Sequence, residues 1–214
     1  MSVQQAVDSI TDASPGNPWL VRLGPGVHAG PVRLKDYVSL EGSGQDTTTV
    51  MGSGAPWASI AATVMAASHG TIRDLTIRCE LAGPFSGFFA IALYGHSTSD
   101  LALRNVTLVA NKEGLPSFGS YGLYLTGNAA CVVAENIDVE VGPSRAPSFG
   151  AYADNGARLE LRSGAIAVPQ ERFAYAAACS LGGGLISMAD VLLDGPVQGA
   201  CIGAFDAVPM GICN

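Results

Sequence analysis

The chain has 214 residues, of which 48% are hydrophobic and only 14% charged, with a net charge of −7 and a pI near 4.8. Phosphate recognition needs clustered cations, and no run of Lys or Arg is present, which argues against a nucleic-acid surface. No uncharged apolar stretch of about 18 residues is available to cross a membrane, and 27 glycines among short apolar runs suit a β-rich solenoid better than a helical bundle.

At the start, Val3, Ala6, Val7 and Ile10 fall at helical spacing, which predicts a short amphipathic helix over 2–12 that covers the open end of the first coil. Met1 to Gln5 carry neither a basic segment nor an apolar one, so no signal peptide is visible. Beyond the helix, one strand pattern recurs. It reads Arg73-Asp74-Leu75-Thr76-Ile77, Arg104-Asn105-Val106-Thr107-Leu108 and Glu135-Asn136-Ile137-Asp138-Val139. Weaker copies follow at Ser163-Gly164-Ala165-Ile166-Ala167 and Ala189-Asp190-Val191-Leu192-Leu193, giving spacings of 31, 31, 28 and 26.

A second series comprises Ala90-Ile91-Ala92-Leu93, Gly122-Leu123-Tyr124-Leu125 and Gly150-Ala151-Tyr152. His96, Asn128 and Asn155 come after them at offsets of 32 and 27, a pattern expected to stack polar side chains as a structural ladder. A third series lies in loops, at Pro84-Phe85-Ser86-Gly87, Pro116-Ser117-Phe118-Gly119 and Pro147-Ser148-Phe149-Gly150. Three features in constant order predict an all-β, single-stranded, right-handed parallel β-helix of about six coils of roughly 24 to 38 residues. No composition break divides it, so one domain over 1–214 is expected, with residues 201–214 as an irregular C-terminal plug.

Cys79, Cys131 and Cys179 sit in apolar runs and read as small core residues. Cys201 and Cys213 flank a short terminal loop and could form a disulfide. The three histidines are scattered and no Cys-x-x-Cys pair occurs, so neither a metal site nor any cofactor is expected.

The N-terminal part resembles the pectin methylesterase family of the pectin lyase-like superfamily. The resemblance runs through Val3-Gln4-Gln5-Ala6-Val7, then Leu20 to His28, Val38-Ser39-Leu40-Glu41-Gly42-Ser43-Gly44, Thr48-Thr49-Val50-Met51-Gly52, Ile72 to Ile77, Ala82-Gly83-Pro84 and Ala90 to Leu93. It covers roughly residues 3 to 155. Esterase chemistry in that family needs two carboxylates, glutamines that hold the oxyanion and an arginine that fixes the nucleophile. The resemblance places Phe89 where the family has a glutamine. Its acid motif falls near Ser120-Tyr121-Gly122, and its nucleophile motif near Gly150-Ala151-Tyr152-Ala153-Asp154, with no Asp at the first position. The resemblance therefore implies the scaffold without the esterase groups. The superfamily's calcium-dependent lyases need several acids in register on one sheet face, and Asp138, Glu140 and Glu160 do not recur so. The ending Cys201-Ile202-Gly203-Ala204-Phe205-Asp206 with Cys213 is similar to that of some uncharacterised bacterial β-helix proteins, implying a bacterial, extracellular or cell-surface setting.

Loops on one side of a solenoid carry its binding groups. Here they bring Lys112, Glu113, Arg145, Gln170, Glu171 and Arg172 near Phe118, Tyr121, Phe149, Tyr152 and Phe173. Aromatic rings beside charged and amide groups suit sugars, whereas the structural alternative is a phenylalanine stack under solvated charges. Glu113 and Glu171, about two coils or roughly 10 Å apart, could form the carboxylate pair of an inverting glycosidase. The leading expectation is a non-catalytic β-helix that binds a polysaccharide or serves as a structural module. The alternative is a polysaccharide lyase, glycoside hydrolase or esterase with an unrecognised site. Nothing in the sequence sets the oligomeric state, and a monomer is the working expectation.

Overall fold

A computed structural model describes residues 1–53, 55–56, 62–81, 88–96, 100–113, 117–128, 130–170, 173–180, 183–198 and 201–202, with the backbone alone at 55, 56, 88, 201 and 202. Helix α1 (Val3–Ser9) comes first. Ser2 and Gln5 form a reciprocal capping box at its N-terminus. It is shorter than the sequence pattern suggests, because Ile10 is already extended and the ammonium of Lys35 donates to the carbonyls of Asp8 (3.0 Å) and Ile10 (2.8 Å). Val3 and Val7 are buried, and the Gln4 side chain accepts from the backbone N–H of Arg33 at 2.7 Å. The helix thereby satisfies part of the first coil's open edge.

Two irregular rungs follow: β1 (Trp19–Arg22), β2 (Gly26–Ala29) and β3 (Val32–Arg33), then β4 (Val38–Glu41), β5 (Thr48–Gly52), β6 (Ala55–Pro56) and β7 (Val64–Met65). Long strands then alternate as β8 (His69–Cys79), β9 (Phe88–His96), β10 (Asp100–Ala110), β11 (Gly119–Thr126), β12 (Cys131–Val141) and β13 (Ser148–Asp154). The last are β14 (Arg158–Ala167), β15 (Ala174–Cys179), β16 (Leu185–Asp194), β17 (Val197–Gln198) and β18 (Cys201–Ile202). One sheet runs β1-β4-β8-β10-β12-β14-β16-β18 with β2 and β5 beside it; the second runs β3-β7-β9-β11-β13-β15-β17 with β6 beside it. Among the described residues every strand ladder is parallel except β6–β9. The result is a parallel β-solenoid of about five regular turns.

In each long strand of the first sheet one residue is left-handed. These are Asp74, Asn105, Asn136, Ser163 and Asp190, with φ of 57°, 51°, 52°, 58° and 56°. The residue is an insertion into the two-residue alternation. Leu103 points into the core and Arg104 out; Asn105 then bends the chain, so that Val106 and Leu108 return to the core. Asx side chains tolerate this conformation and here they also link rungs. The Asn105 amide donates to the Asp74 carboxylate, and the Asn136 amide to the Asn105 side-chain oxygen, both at 2.9 Å.

The polar ladder therefore stands in the first sheet. The row anticipated at His96, Asn128 and Asn155 does not form, because Thr126 pairs with His96 and Asp154 with Thr126. The fourth copy of the strand repeat also shifts by one residue. Arg162 pairs with Glu135, so Gly164 rather than Ala165 lies opposite Ile137. A Cβ on Gly164 would lie 1.9 Å from the Ile137 carbonyl oxygen.

Inward side chains of both sheets, from Leu75, Leu103, Leu108, Ile137 and Leu161 to Leu93, Leu123 and Leu125, fill one fully buried core. On the outer face of the first sheet, Arg22, Glu41, Arg73, Arg104, Glu135 and Arg162 form one register row. Glu41 bridges Arg22 (3.2 Å) and Arg73, and Glu135 bridges Arg104 (3.5 Å) and Arg162 (3.1 Å). Cys79 and Cys179 are buried thiols, as small core residues should be. Cys131 is not: it begins β12 half-buried and is disulfide-bonded. The Cys201 side chain and Cys213 lie outside the described residues, as does the plug from 203 onward. No described helix is long and apolar enough to cross a membrane.

The left-handed ladder generates a stability prediction. Asn136→Val should destabilise the protein by roughly 2–3 kcal/mol, through strain at positive φ and loss of the ladder hydrogen bond. Asn136→Gly, which keeps the backbone conformation, should cost about half as much. Urea denaturation midpoints of the two variants check this order.

Candidate functional site

The outer face of the second sheet carries a cluster of aromatic rings, separate from the main core. Two rows build it. Ile91, Tyr121, Phe149 and Tyr175 are partners in successive strands, and so are Met65, Tyr94, Tyr124 and Tyr152. Positions three apart on a regular strand should face opposite ways. Yet Tyr121 and Tyr124 stack on each other with ring centroids 5.1 Å apart, because the chain bends at Gly122. A Cβ there would meet Val139 Cγ1 at 2.2 Å and the Gly150 carbonyl oxygen at 2.7 Å. Gly150 repeats this bend one rung later, and Phe149 lies 4.6 Å from Tyr152.

The rows differ in packing. Tyr121–Phe149 (5.2 Å) and Phe149–Tyr175 (5.6 Å) are stacked, as a structural ladder would be. Tyr94–Tyr124 and Tyr124–Tyr152, each 5.3 Å apart, meet edge to face, at interplanar angles of 76° and 62°. Phe89, pairing with Gly119, packs edge-on to Phe118 at 5.3 Å. Phe118 itself is 47% exposed.

Polar groups border the tyrosine row. His96, Thr126 and Asp154 share a register row two residues beyond it. Asp154 accepts from the Ser180 hydroxyl, from the Asn155 backbone N–H (2.8 Å) and from the Asn155 amide (3.1 Å). Burial raises the phenols of Tyr94, Tyr121, Tyr124 and Tyr152, and the negative charge of Asp154 raises all four further. Tyr124 is pushed up to about 12. All four therefore stay neutral at physiological pH, as hydroxyls able both to donate and to accept. At the N-terminal end of the row an open cleft of about 530 Å³ is bounded by Arg33, Asp36, Ser68, Tyr94 and His96.

The structure thus brings together four of the anticipated residues, Phe118, Tyr121, Phe149 and Tyr152. Arg145 is exposed in the loop whose backbone binds the carbonyls of Ser117 and Phe118, at 2.8 Å each. Lys112 and Glu113 pair with the first sheet: Lys112 with Glu140 of β12, and Glu113 with Arg78 of β8 at 3.8 Å. Gln170 donates to Asp194 at 2.8 Å and Phe173 is half-exposed. Glu171 and Arg172, and with them the carboxylate pair of Glu113 and Glu171, lie outside the described residues.

Sequence reasoning missed Tyr94, Tyr124, Tyr175 and Asp154 as site residues. The signal was present as tyrosines at spacings of 30 and 28, but matching Ala90 to Gly122 set Tyr124 against Ala92 instead of Tyr94.

No family model and no curated protein matches the chain. Solved structures do match. Pectin methylesterase from carrot is 15% identical with a TM-score of 0.60, over 98% of this chain and 81% of that one. Pectin methylesterase from Yersinia enterocolitica is 15% identical with a TM-score of 0.55, over 92% and 80%. A pectin methylesterase crystallised with a hexasaccharide is 12% identical with a TM-score of 0.57, over 92% and 75%. The shared feature is the fold, a right-handed parallel β-helix of the pectin lyase-like type.

The raised phenols have a measurable consequence. Between pH 10, where an unfolded tyrosine loses its proton, and pH 12, where Tyr124 loses its own, the native state holds the proton more tightly. Stability from this group is full below pH 10 and falls as pH rises to 12. Absorbance titration should show tyrosines that ionise well after the free amino acid, and Asp154→Asn should move part of that titration to lower pH.

Proposed function

We propose that this chain is a non-catalytic β-helix that binds a polysaccharide through the aromatic face of its second sheet. The observation that carries the reading is the convergence of Tyr94, Tyr121, Tyr124 and Tyr152, with hydroxyls kept neutral, beside the carboxylate of Asp154. The half-buried rings of Tyr121, Tyr124 and Tyr152, with buried Tyr94 packed against them, supply apolar contact for sugar C–H groups, and the phenols, Asp154 and Ser180 supply hydrogen-bond partners for hydroxyls. The parallel stack places equivalent side chains about 4.8 Å apart, so the face runs along the axis as a repeating track suited to a polymer.

Binding without turnover is supported by what surrounds the rings. Glycoside hydrolysis uses two carboxylates; Asp154 is the carboxylate common to the four tyrosines, and Asp36 borders the row only in the cleft at its Tyr94 end. Phe89, Tyr121 and Gly150, where the sequence resemblance to the esterases would put functional groups, are apolar or ring-bearing and belong to the aromatic face or its bends. A disulfide at Cys131 fits an oxidising, extracytoplasmic setting.

A glycan-array screen that also records product release tests the reading. Retention of at least one polysaccharide without release is the expected result; release of product favours a polysaccharide-degrading enzyme instead. Tyr124→Ala should weaken retention by about tenfold or more, as loss of a central aromatic contact does. Leu192→Ala, exposed on the opposite, first sheet, should leave it within about twofold.

A further inference from the structure

We infer that the tyrosine face selects a glycan bearing protonated amines, such as a glucosamine polymer, over one bearing carboxylates. The inference rests on the glycan-binding reading above and names the class of sugar. Its basis is the charge on Asp154. The partners of this carboxylate are the Ser180 hydroxyl and the backbone and side-chain N–H groups of Asn155, all of them neutral. Among the described residues no Lys, Arg or His forms an ion pair with it, whereas Glu41, Glu135 and Glu160 of the first sheet are each bridged by arginine.

An unneutralised carboxylate beside four electron-rich rings attracts a cation in two ways. The ammonium group forms a charge-assisted hydrogen bond with the carboxylate, and it is drawn to the π faces of the tyrosines. The edge-to-face packing of Tyr124 against Tyr94 and Tyr152 keeps these rings from closing into a single stack. A uronate would instead bring a second negative charge toward Asp154, in a chain whose net charge is already −7. Neutral sugars keep the ring contacts and lose the ionic one.

Calorimetric titration of the full chain at pH 6 and about 0.15 M salt distinguishes the classes. The probes are a glucosamine hexasaccharide, its fully N-acetylated counterpart and an oligogalacturonate of the same length. Binding of the amine form about tenfold tighter than the N-acetyl form, with the galacturonate weakest, is the expected result. Asp154→Asn should bring the first two affinities together. Asp138→Asn, which removes the same charge from an exposed site on the first sheet, should leave the preference intact and so separates local recognition from general attraction of a polycation. Equal affinity of the wild type for the amine and N-acetyl forms, or tightest binding of the galacturonate, overturns the inference while leaving glycan binding standing. Failure of all three probes to bind overturns the inference, and silence across the glycan array as well overturns the binding reading on which it rests. Should Asp154→Asn lose its fold, the wild-type comparison still decides.

Discussion

One left-handed residue in every long strand of the first sheet determines which side chains enter the core. A strand of ten or eleven residues with strict alternation would send every second residue outward. The extra residue at Asp74, Asn105, Asn136, Ser163 and Asp190 resets that count, so apolar side chains reach the interior from either side of a bend, as full pairs in β10 and β12. Because these residues stack in register, their strain recurs at the same height in each turn, and side-chain hydrogen bonds between rungs offset it. The second sheet solves a related problem differently. Gly122 and Gly150 press their backbones against Val139 and Ile166 of the opposite wall, and the bend releases Tyr121 and Phe149 to the outside. The aromatic face is thus a consequence of how tightly the two sheets approach one another.

The fold was legible because its strongest signal, Arg-Asp-Leu-Thr-Ile and its copies, coincides with the most constrained part of each turn. Polar residues tolerant of positive φ followed by apolar pairs can be read without knowing the bend they make. Where that chemistry weakened, register failed. At Ser163-Gly164 the left-handed position is a serine and its follower a glycine, so the apolar pattern offered nothing to align, and the reading slipped by one residue. In the second sheet the slip was two residues, since Ala90, Ala92, Gly122 and Gly150 are all small and nearly interchangeable as pattern elements. That error concealed Tyr94 and moved the expected polar ladder away from the sheet that has one.

The candidate site was legible in part for the same reason. Phe118, Tyr121, Phe149 and Tyr152 were identifiable as aromatics close to loops, and the structure assembles them. Charged residues were less informative, because a long side chain at the end of a strand can turn toward either sheet. Lys112 and Glu113 turn toward the first, where Glu140 and Arg78 receive them. Asp154 escaped notice because its importance lies in its surroundings: its partners are neutral while those of Glu41 and Glu135 are arginines.

The stacking of tyrosines at one height of successive turns also makes the face extensible. Each rung docks only on its two neighbours and brings its own bend, core pair and outward ring. Gain or loss of one whole rung of 27 to 31 residues, the distance between register partners in the first sheet, would lengthen or shorten the track by one ring position while leaving the helix and the first coils untouched. Track length can therefore be inherited as a copy number, without redesign of any contact.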